Sequence, residues 1–233
     1  MAKPVKINGY KLYPFINRQA LLDFLNDENW QNILVALNAE KLIREDVELK
    51  KLVNHNLGYP DGIGAVWALR RKGRKSVKIP GAEFWLDIIN SFQVDKTFYL
   101  IGGEEEVIEA TVEKLKDQFP HIKIVGYNNG YFNETGFFVI KDEILKKKPD
   151  VVFVAMGSPR QEFIMQELES YHKALYMGLG GSFDVYIGKV ARAPKMWIDL
   201  NLEWAYRLFK QPKRIFRQWV LFKFIYRLIT NKL

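Results

Sequence analysis

Five short, uninterrupted apolar runs stand out along the chain, separated by longer segments with helical periodicity. The runs are Ile33–Leu37, Phe98–Ile101, Ile122–Val125, Val151–Met156 and Ala174–Met177. Continuous apolar runs are typical of parallel strands covered on both faces, whereas half-exposed strands alternate. The clearest helical segment is Glu104–Phe119, which has an acidic first turn and an apolar stripe made of Val107, Ile108, Val112 and Leu115.

This order of elements predicts the fold class. Further helical patterns cover Phe138–Lys148 and Arg160–Tyr171, so strands and helices alternate along the chain. We expect an α/β, Rossmann-like, doubly wound and mostly parallel sheet. The first 15 residues, around Asn8-Gly9, indicate a small hairpin. The predicted organisation is an α/β core over residues 1–192 and a helical C-terminal appendage over residues 193–233.

Composition excludes several kinds of chemistry. The 233 residues contain no cysteine, which excludes a disulfide scaffold, a cysteine-ligated metal and a thiol nucleophile. The three histidines are scattered and give no metal-binding spacing, so we expect no metal site and no cofactor. The N-terminus lacks the apolar region of an export signal, and no apolar run is long enough to span a bilayer.

The net charge of +8 is concentrated at the C-terminus. Residues 210–233 contain seven basic residues and no acidic one, whereas the other 209 residues carry 28 basic and 27 acidic residues. A nearly neutral body argues against a nucleic-acid partner, and a basic tail favours an anionic surface.

On a helical wheel, the tail separates into a basic half and an uncharged half. The basic half includes Arg214, Arg217 and Arg227, for which we expect contact with the membrane or a lipid diphosphate. The uncharged half consists of Ile215, Trp219, Phe222, Ile225, Tyr226, Ile229 and Leu233. Such a helix is typical of an anionic membrane interface, although a helix packed on the core with a solvated basic face fits equally well.

Glycine or asparagine follows every predicted strand, in some cases as part of a short glycine-containing segment. The residues are Asn38, Gly102-Gly103, Gly126, Gly157-Ser158-Pro159 and Gly178-Leu179-Gly180-Gly181. Ligands of open α/β sheets bind at the carboxyl ends of the strands, and glycines there let backbone N–H groups approach phosphate. Each glycine alone has an ordinary explanation as a strand end or helix cap. Together they indicate an anionic, nucleotide-like ligand.

Asp61 is the outstanding carboxylate. It precedes a helical stretch over Ala65–Arg71, so it is either the N-cap of that helix or a general base in a cleft. A Walker loop and an Asp-x-Asp pair are both missing from the sequence. Gly62-Ile63-Gly64 begins a dinucleotide-binding pattern, but Trp67 replaces the third glycine and we expect no suitable strand before it.

Two further clusters hold candidate ligand-binding side chains. Gln161 belongs to the first turn of a helix that we expect Ser158 to cap, and it is either a capping-box partner of Ser158 or a cleft residue. Asp184 either accepts hydrogen bonds from ribose hydroxyls or pairs with Arg192.

These blocks resemble the bacterial WecG/TagA/CpsF glycosyltransferases, glycosyltransferase family 26. The similarity runs in order through nearly the whole chain: Asn38-Ala39-Glu40, Asp61-Gly62-Ile63, Pro80–Glu83, Leu100–Gly103, Val154–Glu162, Gly178–Asp184, Arg192-Ala193-Pro194 and Leu202-Glu203-Trp204. Val35–Lys41 and Ala174–Gly178 resemble the branch that transfers N-acetyl-D-mannosaminuronic acid in enterobacterial common antigen synthesis.

The resemblance implies a function and a set of roles. Members are inverting, metal-independent enzymes that move an N-acetylmannosamine-type sugar from UDP to polyprenyl-diphosphate-linked N-acetylglucosamine. It implies that Asp61 is the catalytic aspartate, with Asn38 and Gln161 beside it in the cleft. A family arginine that faces the leaving diphosphate aligns best with Lys78, with Arg74 as a substitute.

The chemistry of inverting transfer fits these residues. One carboxylate suffices as base, and without a metal the leaving UDP needs cations and helix N-termini. We expect these from Lys78 and the Gly102–Gly103 turn, with Gly157, Gly180, Gly181, Asp184 and Arg192 as further substrate-binding residues. The lipid acceptor implies a peripheral location at the cytoplasmic face of the inner membrane. Alternatives are the same chemistry with UDP-N-acetylmannosamine or UDP-glucose, and a non-catalytic nucleotide-sugar-binding protein.

Overall fold

The structure is a computed structural model that describes residues 3–27, 32–194, 196–197, 200, 205–206 and 216–230, with only the backbone described at 216–219. Its strands form a two-stranded hairpin and a six-stranded sheet. The hairpin comprises β1 (Val5–Ile7) and β2 (Tyr10–Leu12), and the sheet comprises β3 (Ile33–Leu37), β4 (Leu57–Pro60), β5 (Thr97–Gly102), β6 (Lys123–Asn128), β7 (Val151–Ala155) and β8 (Leu175–Gly178). The five predicted strands and the hairpin are confirmed.

Ten helices are described in these parts of the chain. They are α1 (Arg18–Asp27), α2 (Ala39–Leu42), α3 (Val47–His55), α4 (Ile63–Arg71), α5 (Gly81–Phe92), α6 (Glu105–Gln118), α7 (Glu134–Lys147), α8 (Arg160–Tyr171), α9 (Ser182–Tyr186) and α10 (Phe216–Ile229). The predicted helices that correspond to α4, α6, α7 and α8 are confirmed, with α4 and α7 beginning two and four residues earlier than predicted.

The sheet is parallel throughout, and its strand order creates a crevice between β3 and β8. The order is β4-β3-β8-β7-β5-β6. The helices that follow β3 pack on one face, where Leu42 is buried, and α9 follows β8 on the other face, where Phe183 is buried. Neighbouring strands whose connections leave on opposite faces define a topological switch point, where ligands of such sheets bind.

Alternate side chains of each strand enter two separate cores. In β3, Val35 contributes to the core beneath α2, α3, α4, α7, α8 and α10, whereas Leu34 contributes to the core beneath α1, α5, α6 and α9. In β7, Val152 and Phe153 divide in the same way. The strand runs are continuously apolar because both faces of the sheet are covered. The predicted doubly wound α/β fold is confirmed.

Strand β4 corrects one expectation. The sequence predicts no suitable strand before Gly62, yet Leu57–Pro60 pairs in parallel with β3. Gly58 and Pro60 make β4 hard to recognise in the sequence, because both residue types are depleted in strands. Pro60 is tolerated because β4 lies at the sheet edge and the proline is its last residue. Asp61 therefore follows directly from a sheet strand.

The C-terminal helix α10 packs on α2 and α4. Phe224 is fully buried in the core to which Val35 contributes, and its ring lies against Gly64 of α4. Arg227 donates to Glu45 over 3.0 Å, and hydrogen bonds from Lys50 and Arg227 lower the pKa of Glu45 to about 2. Arg214 and the side chain of Arg217 lie outside the described residues. The division into a core and a membrane-binding appendage stays a prediction.

Candidate active site

A cavity of about 590 Å³ opens at the carboxyl ends of β3, β4 and β8, at the switch point between β3 and β8. This volume lies within the range of small-molecule sites. The first turns of α4, α5, α8 and α9 form much of its wall. Several helices therefore direct their positive ends into one concave space.

Three of the helices that begin at this cavity have N-cap residues without a capping side chain. The N-caps of α4, α5 and α8 are Gly62, Pro80 and Pro159, and none supplies a side-chain acceptor. By contrast, Asp46 and Asn133 cap α3 and α7 through their side chains, away from the cavity. Uncapped first-turn N–H groups suit a bound anion. The expectation that Ser158 caps α8 is wrong, because Pro159 occupies that position.

Asp61 links two elements at the cavity wall. It follows β4, and its Oδ1 accepts a hydrogen bond from the N–H of Gly81 over 2.7 Å. Gly81 is the first residue of α5, so this carboxylate lies at the positive end of a helix of 12 residues. Asp61 does not cap α4, whose N-cap is Gly62. The structure thus holds the carboxylate in a fixed orientation at the cleft.

Tyr59 lies beneath this arrangement and explains why residue 81 is a glycine. Its hydroxyl is buried, and it has no hydrogen-bond partner among the described residues. A Cβ on Gly81 would come within 2.8 Å of that oxygen. Burial, reinforced by the charge of Asp61, raises the pKa of Tyr59 well above its usual value. The hydroxyl therefore stays protonated beside the carboxylate.

Gln161 and a buried ion pair form the floor of the cavity. The Oε1 of Gln161 accepts a hydrogen bond from the N–H of Gly180 over 2.8 Å, so Gln161 holds the glycine turn after β8 instead of pairing with Ser158. Lys41 Nζ lies 2.6 Å from Glu162 Oε1 and 3.0 Å from the carbonyl oxygen of Ala36. Sequence reasoning missed this pair, whose members are 121 positions apart.

Asn38 begins α2 at the end of β3. Its Oδ1 accepts a hydrogen bond from the N–H of Lys41 over 3.0 Å, which fixes the side chain at the cavity edge. Among the described residues, the NH₂ group of the Asn38 side chain has no hydrogen-bond partner, so it can donate to a ligand. Asn38 thus caps α2 and lines the cleft at once.

Two cations line the cavity besides Lys41. Lys78 is half-buried there, whereas Arg74 is exposed and outside the lining, so the geometry favours Lys78 of these two. Arg192 pairs with Glu83 of α5 over 2.6 Å, which corrects the expected alternative of an Arg192–Asp184 pair. Asp184, in the first turn of α9, also belongs to the lining of the cavity.

The predicted glycines divide into two groups. Gly180 and Gly181 line the cavity, whereas Gly102, Gly103 and Gly157 do not. Gly102 has a φ of +140°, and a Cβ on it would overlap the backbone of Ala155. The structure therefore does not bring the Gly102–Gly103 turn to the cleft. This turn leads instead to a shallow depression lined by Glu104, Glu105, Asn129 and Tyr131.

A family comparison bears on this site. A family model described as the glycosyl transferase WecG/TagA/CpsF family matches residues 6–233. The chain belongs to this family. Membership indicates glycosyltransferase activity, which requires a nucleotide-sugar donor and an acceptor. The resemblance found in the sequence is thereby confirmed at the level of the family.

In this glycosyltransferase, the four residues to which the resemblance assigned catalytic or cleft roles line one cavity. They are Asn38, Asp61, Lys78 and Gln161, and they come from the ends of different elements along the sheet edge. Their roles stay predictions.

Two further findings concern metals and membranes. Within the described residues, no group of three or more His, Asp or Glu side chains could hold a metal ion. No helix in the same part of the chain is long and apolar enough to cross a bilayer. Independence from metal and peripheral attachment to the inner membrane both stay predictions.

Proposed function

We propose that this chain is an inverting glycosyltransferase that moves N-acetyl-D-mannosaminuronic acid from UDP to polyprenyl-diphosphate-linked N-acetylglucosamine. The observation that carries the proposal is the position of Asp61, a carboxylate held by the first N–H of α5 in a cavity walled by several helix N-termini. The carboxylate suits the base, and the helix ends suit the diphosphate. The branch resemblance of Val35–Lys41 and Ala174–Gly178 supports the choice of sugar.

Asp61 acts as the general base. It accepts the proton of the attacking acceptor hydroxyl while that oxygen bonds to the anomeric carbon of the donor. The bond from the anomeric carbon to the diphosphate oxygen breaks on the opposite side, and UDP leaves with the bonding electrons. A single displacement inverts the configuration at that carbon. The hydrogen bond from Gly81 holds one carboxylate oxygen, so the base keeps its orientation.

The leaving UDP is stabilised by groups that this chain supplies. Lys78 provides a positive charge at the cavity, and the first turns of α4, α5 and α8 provide backbone N–H groups. Charge on the leaving diphosphate grows as the bond breaks, so these groups stabilise the transition state more than bound donor. No metal is required for this step.

The remaining cleft residues position the two substrates. Gln161 fixes the Gly180–Gly181 turn, whose lack of side chains suits close approach of the donor. Asp184 is placed to accept hydrogen bonds from ribose hydroxyls, and Asn38 presents its amide beside Asp61. The acceptor's lipid chain implies work at the membrane, for which the exposed apolar residues of α10 are suited.

Mass spectrometry of products tests the proposal. The protein is incubated with UDP-N-acetylmannosaminuronic acid, UDP-N-acetylmannosamine or UDP-glucose and with a synthetic lipid-diphosphate acceptor, with and without excess EDTA. We expect product from the uronic-acid donor in both conditions and none from Asp61→Asn. Exclusive use of another donor would contradict the assigned sugar. Loss of activity in EDTA with recovery in Mg²⁺ would contradict the metal-free mechanism.

A further inference from the structure

The floor of the cavity contains charge where a helix would ordinarily bury apolar side chains. Gln161 and Glu162, in the first turn of α8, are 3% and 1% exposed, and Lys41 of α2 is 7% exposed. Taking two charges out of water costs much of what their attraction returns, so apolar residues of similar size often serve stability equally well. The polar groups of this floor therefore indicate a task beyond stability.

The side chain of Gln161 is packed tightly, but packing alone does not decide which way its amide group faces. A Cβ on Gly178, the last residue of β8, would overlap Gln161 Nε2, so the amide group lies directly on the end of that strand. The oxygen and the NH₂ group of a carboxamide are nearly equal in size. Only their hydrogen-bond partners distinguish the two orientations.

Two neighbours fix the orientation of the Gln161 amide. Glu162 Oε1 accepts a hydrogen bond from Gln161 Nε2 over 3.3 Å, and Gln161 Oε1 accepts one from the N–H of Gly180 over 2.8 Å. A carboxylate only accepts and a backbone N–H only donates. The opposite orientation would set oxygen against carboxylate and NH₂ against N–H. Glu162 therefore keeps Gln161 Oε1 on the Gly180–Gly181 turn.

Lys41 supplies the counter-charge of Glu162 and connects it to the end of β3. Its Nζ lies 2.6 Å from Glu162 Oε1 and 3.0 Å from the carbonyl oxygen of Ala36. Its backbone N–H donates to Asn38 Oδ1 over 3.0 Å, which leaves the NH₂ group of Asn38 for a ligand. Because α2 has only four residues, the buried side chain of Lys41 helps to anchor it. The pair thus links two amide side chains of the cavity that belong to different elements.

We propose that Lys41 and Glu162 are positioning residues for the donor. The buried pair holds Gln161 in one amide orientation, through which it fixes the Gly180–Gly181 turn. It also holds α2 where Asn38 presents its NH₂ group. Neither Lys41 nor Glu162 takes part in the bond changes at the anomeric carbon. The inference rests on the proposed function only in taking the cavity as the site of a UDP-sugar.

This role predicts a particular kinetic effect. Groups that hold the donor in place bind it equally in the ground state and the transition state, so their loss raises KM and leaves kcat nearly unchanged. Asp61 and Lys78 differ, because a general base and a cation at the leaving group act mainly in the transition state. Donor KM and kcat therefore separate positioning from catalysis.

Two double variants test the proposal. Lys41→Met/Glu162→Met replaces the pair with apolar side chains and leaves no buried charge unpaired, so we expect a melting temperature near wild type. With a short, detergent-soluble acceptor, we expect its donor KM to rise at least about tenfold while kcat stays within about threefold. Lys41→Met/Glu162→Gln is equally uncharged but keeps an acceptor oxygen for Gln161. We expect its donor KM to lie within about threefold of wild type.

A matched control and a direct measurement complete the experiment. Lys147→Met/Glu143→Gln breaks a half-buried pair on α7 outside the cavity lining, and we expect its kinetics to stay near wild type. Hydrogen exchange at the N–H of Gly180 reports its bond to Gln161 and should become faster in Lys41→Met/Glu162→Met than in the other proteins. An unchanged donor KM in that variant, or an equal rise in both variants of the buried pair, would overturn the proposal.

The remaining outcomes separate positioning from stability and from the proposed function. If Lys41→Met/Glu162→Met is unfolded at the assay temperature, the pair serves stability and the proposal is wrong. If the wild type transfers none of the three sugars, the proposed function fails, and calorimetry with UDP alone decides the positioning role. Weaker UDP binding in Lys41→Met/Glu162→Met alone would support that role, and equal UDP binding in all variants would refute it.

Discussion

Glycines follow strands at two places along the carboxyl edge of the sheet, but the two places are built differently. Beside β8, Gly180 and Gly181 have no heavy atom within 4 Å of a Cβ position, and they line the large cavity. Beside β5, the Cβ positions of Gly102 and Gly103 are filled by Ala155 and Val107. Glycine at the first place leaves room for a ligand, and at the second it lets the chain pack against itself.

The polar groups at these two places also differ. The cavity has a carboxylate held at a helix N-terminus and a buried ion pair beneath it. The depression after β5 has Glu104 and Glu105, which are exposed and bonded to Lys189 and Asn129. A strand-end glycine therefore indicates a ligand site only where space and oriented polar groups accompany it.

The largest expected difference between the two places is in catalysis. Asp61→Asn removes the base but keeps an acceptor for the N–H of Gly81. We expect turnover to fall at least about a thousandfold, within the range of general bases, while UDP binding stays within about tenfold. Steady-state kinetics and calorimetry measure these effects. Glu105→Gln in the other depression is the matched control, with turnover near wild type. Near-normal turnover of Asp61→Asn would refute the base.

The next largest difference is expected between the ion pairs at the two places, measured as the loss in the free energy of unfolding when each pair is broken. Lys41→Met leaves Glu162 buried without its cation, and we expect a loss of about 3–5 kcal/mol in the free energy of unfolding. The double variant Lys41→Met/Glu162→Gln should recover much of it. Lys189→Met breaks the exposed pair with Glu104 and should lower the free energy of unfolding far less, because solvent screens an exposed pair. Urea unfolding measures all three, and equal losses at the two pairs would contradict the comparison.

Variants of Lys78 and Arg74 test which cation stabilises the leaving diphosphate. Lys78→Ala should lower turnover about a hundredfold and weaken donor binding less, because charge grows on the diphosphate in the transition state. Arg74→Ala, four residues earlier and outside the cavity, should change turnover with a short acceptor less than about twofold. If the two variants exchange these effects, Arg74 fills the role that we assign to Lys78.

The smallest effects concern the glycines themselves. Gly102→Ala forces a Cβ into the backbone of Ala155 at a φ of +140°, and we expect a loss of about 2–3 kcal/mol in stability with unchanged donor affinity of the folded protein. Gly181→Ala adds a methyl group in open space at a φ of −98°, so stability should stay within about 0.5 kcal/mol while donor KM rises several-fold. The reverse pattern would show that Gly102, not Gly181, meets the donor.

Local patterns account for the elements that the sequence reasoning found and missed. The five apolar runs were identifiable because each is continuous, whereas β4 contains Gly58 and Pro60 and gives no such signal. Helix α5 was missed although Phe84, Trp85, Ile88 and Ile89 recur at helical spacing and all lie on its buried face, so its pattern was present in the sequence. A short edge strand interrupted by glycine and proline is therefore hard to predict from one sequence.

The sequence by itself determined the alternation of strands and helices and the parallel sheet. These follow from local backbone geometry, since side-chain direction repeats every two residues in a strand and every 3.6 in a helix. Only the tertiary structure decided which glycines border open space, that Glu83 is the partner of Arg192, and that Lys41 meets Glu162. It also placed Arg71, at the end of α4, beside Ile229 of α10. Such pairings depend on strand order and on helices that meet across many positions, which no local repeat encodes.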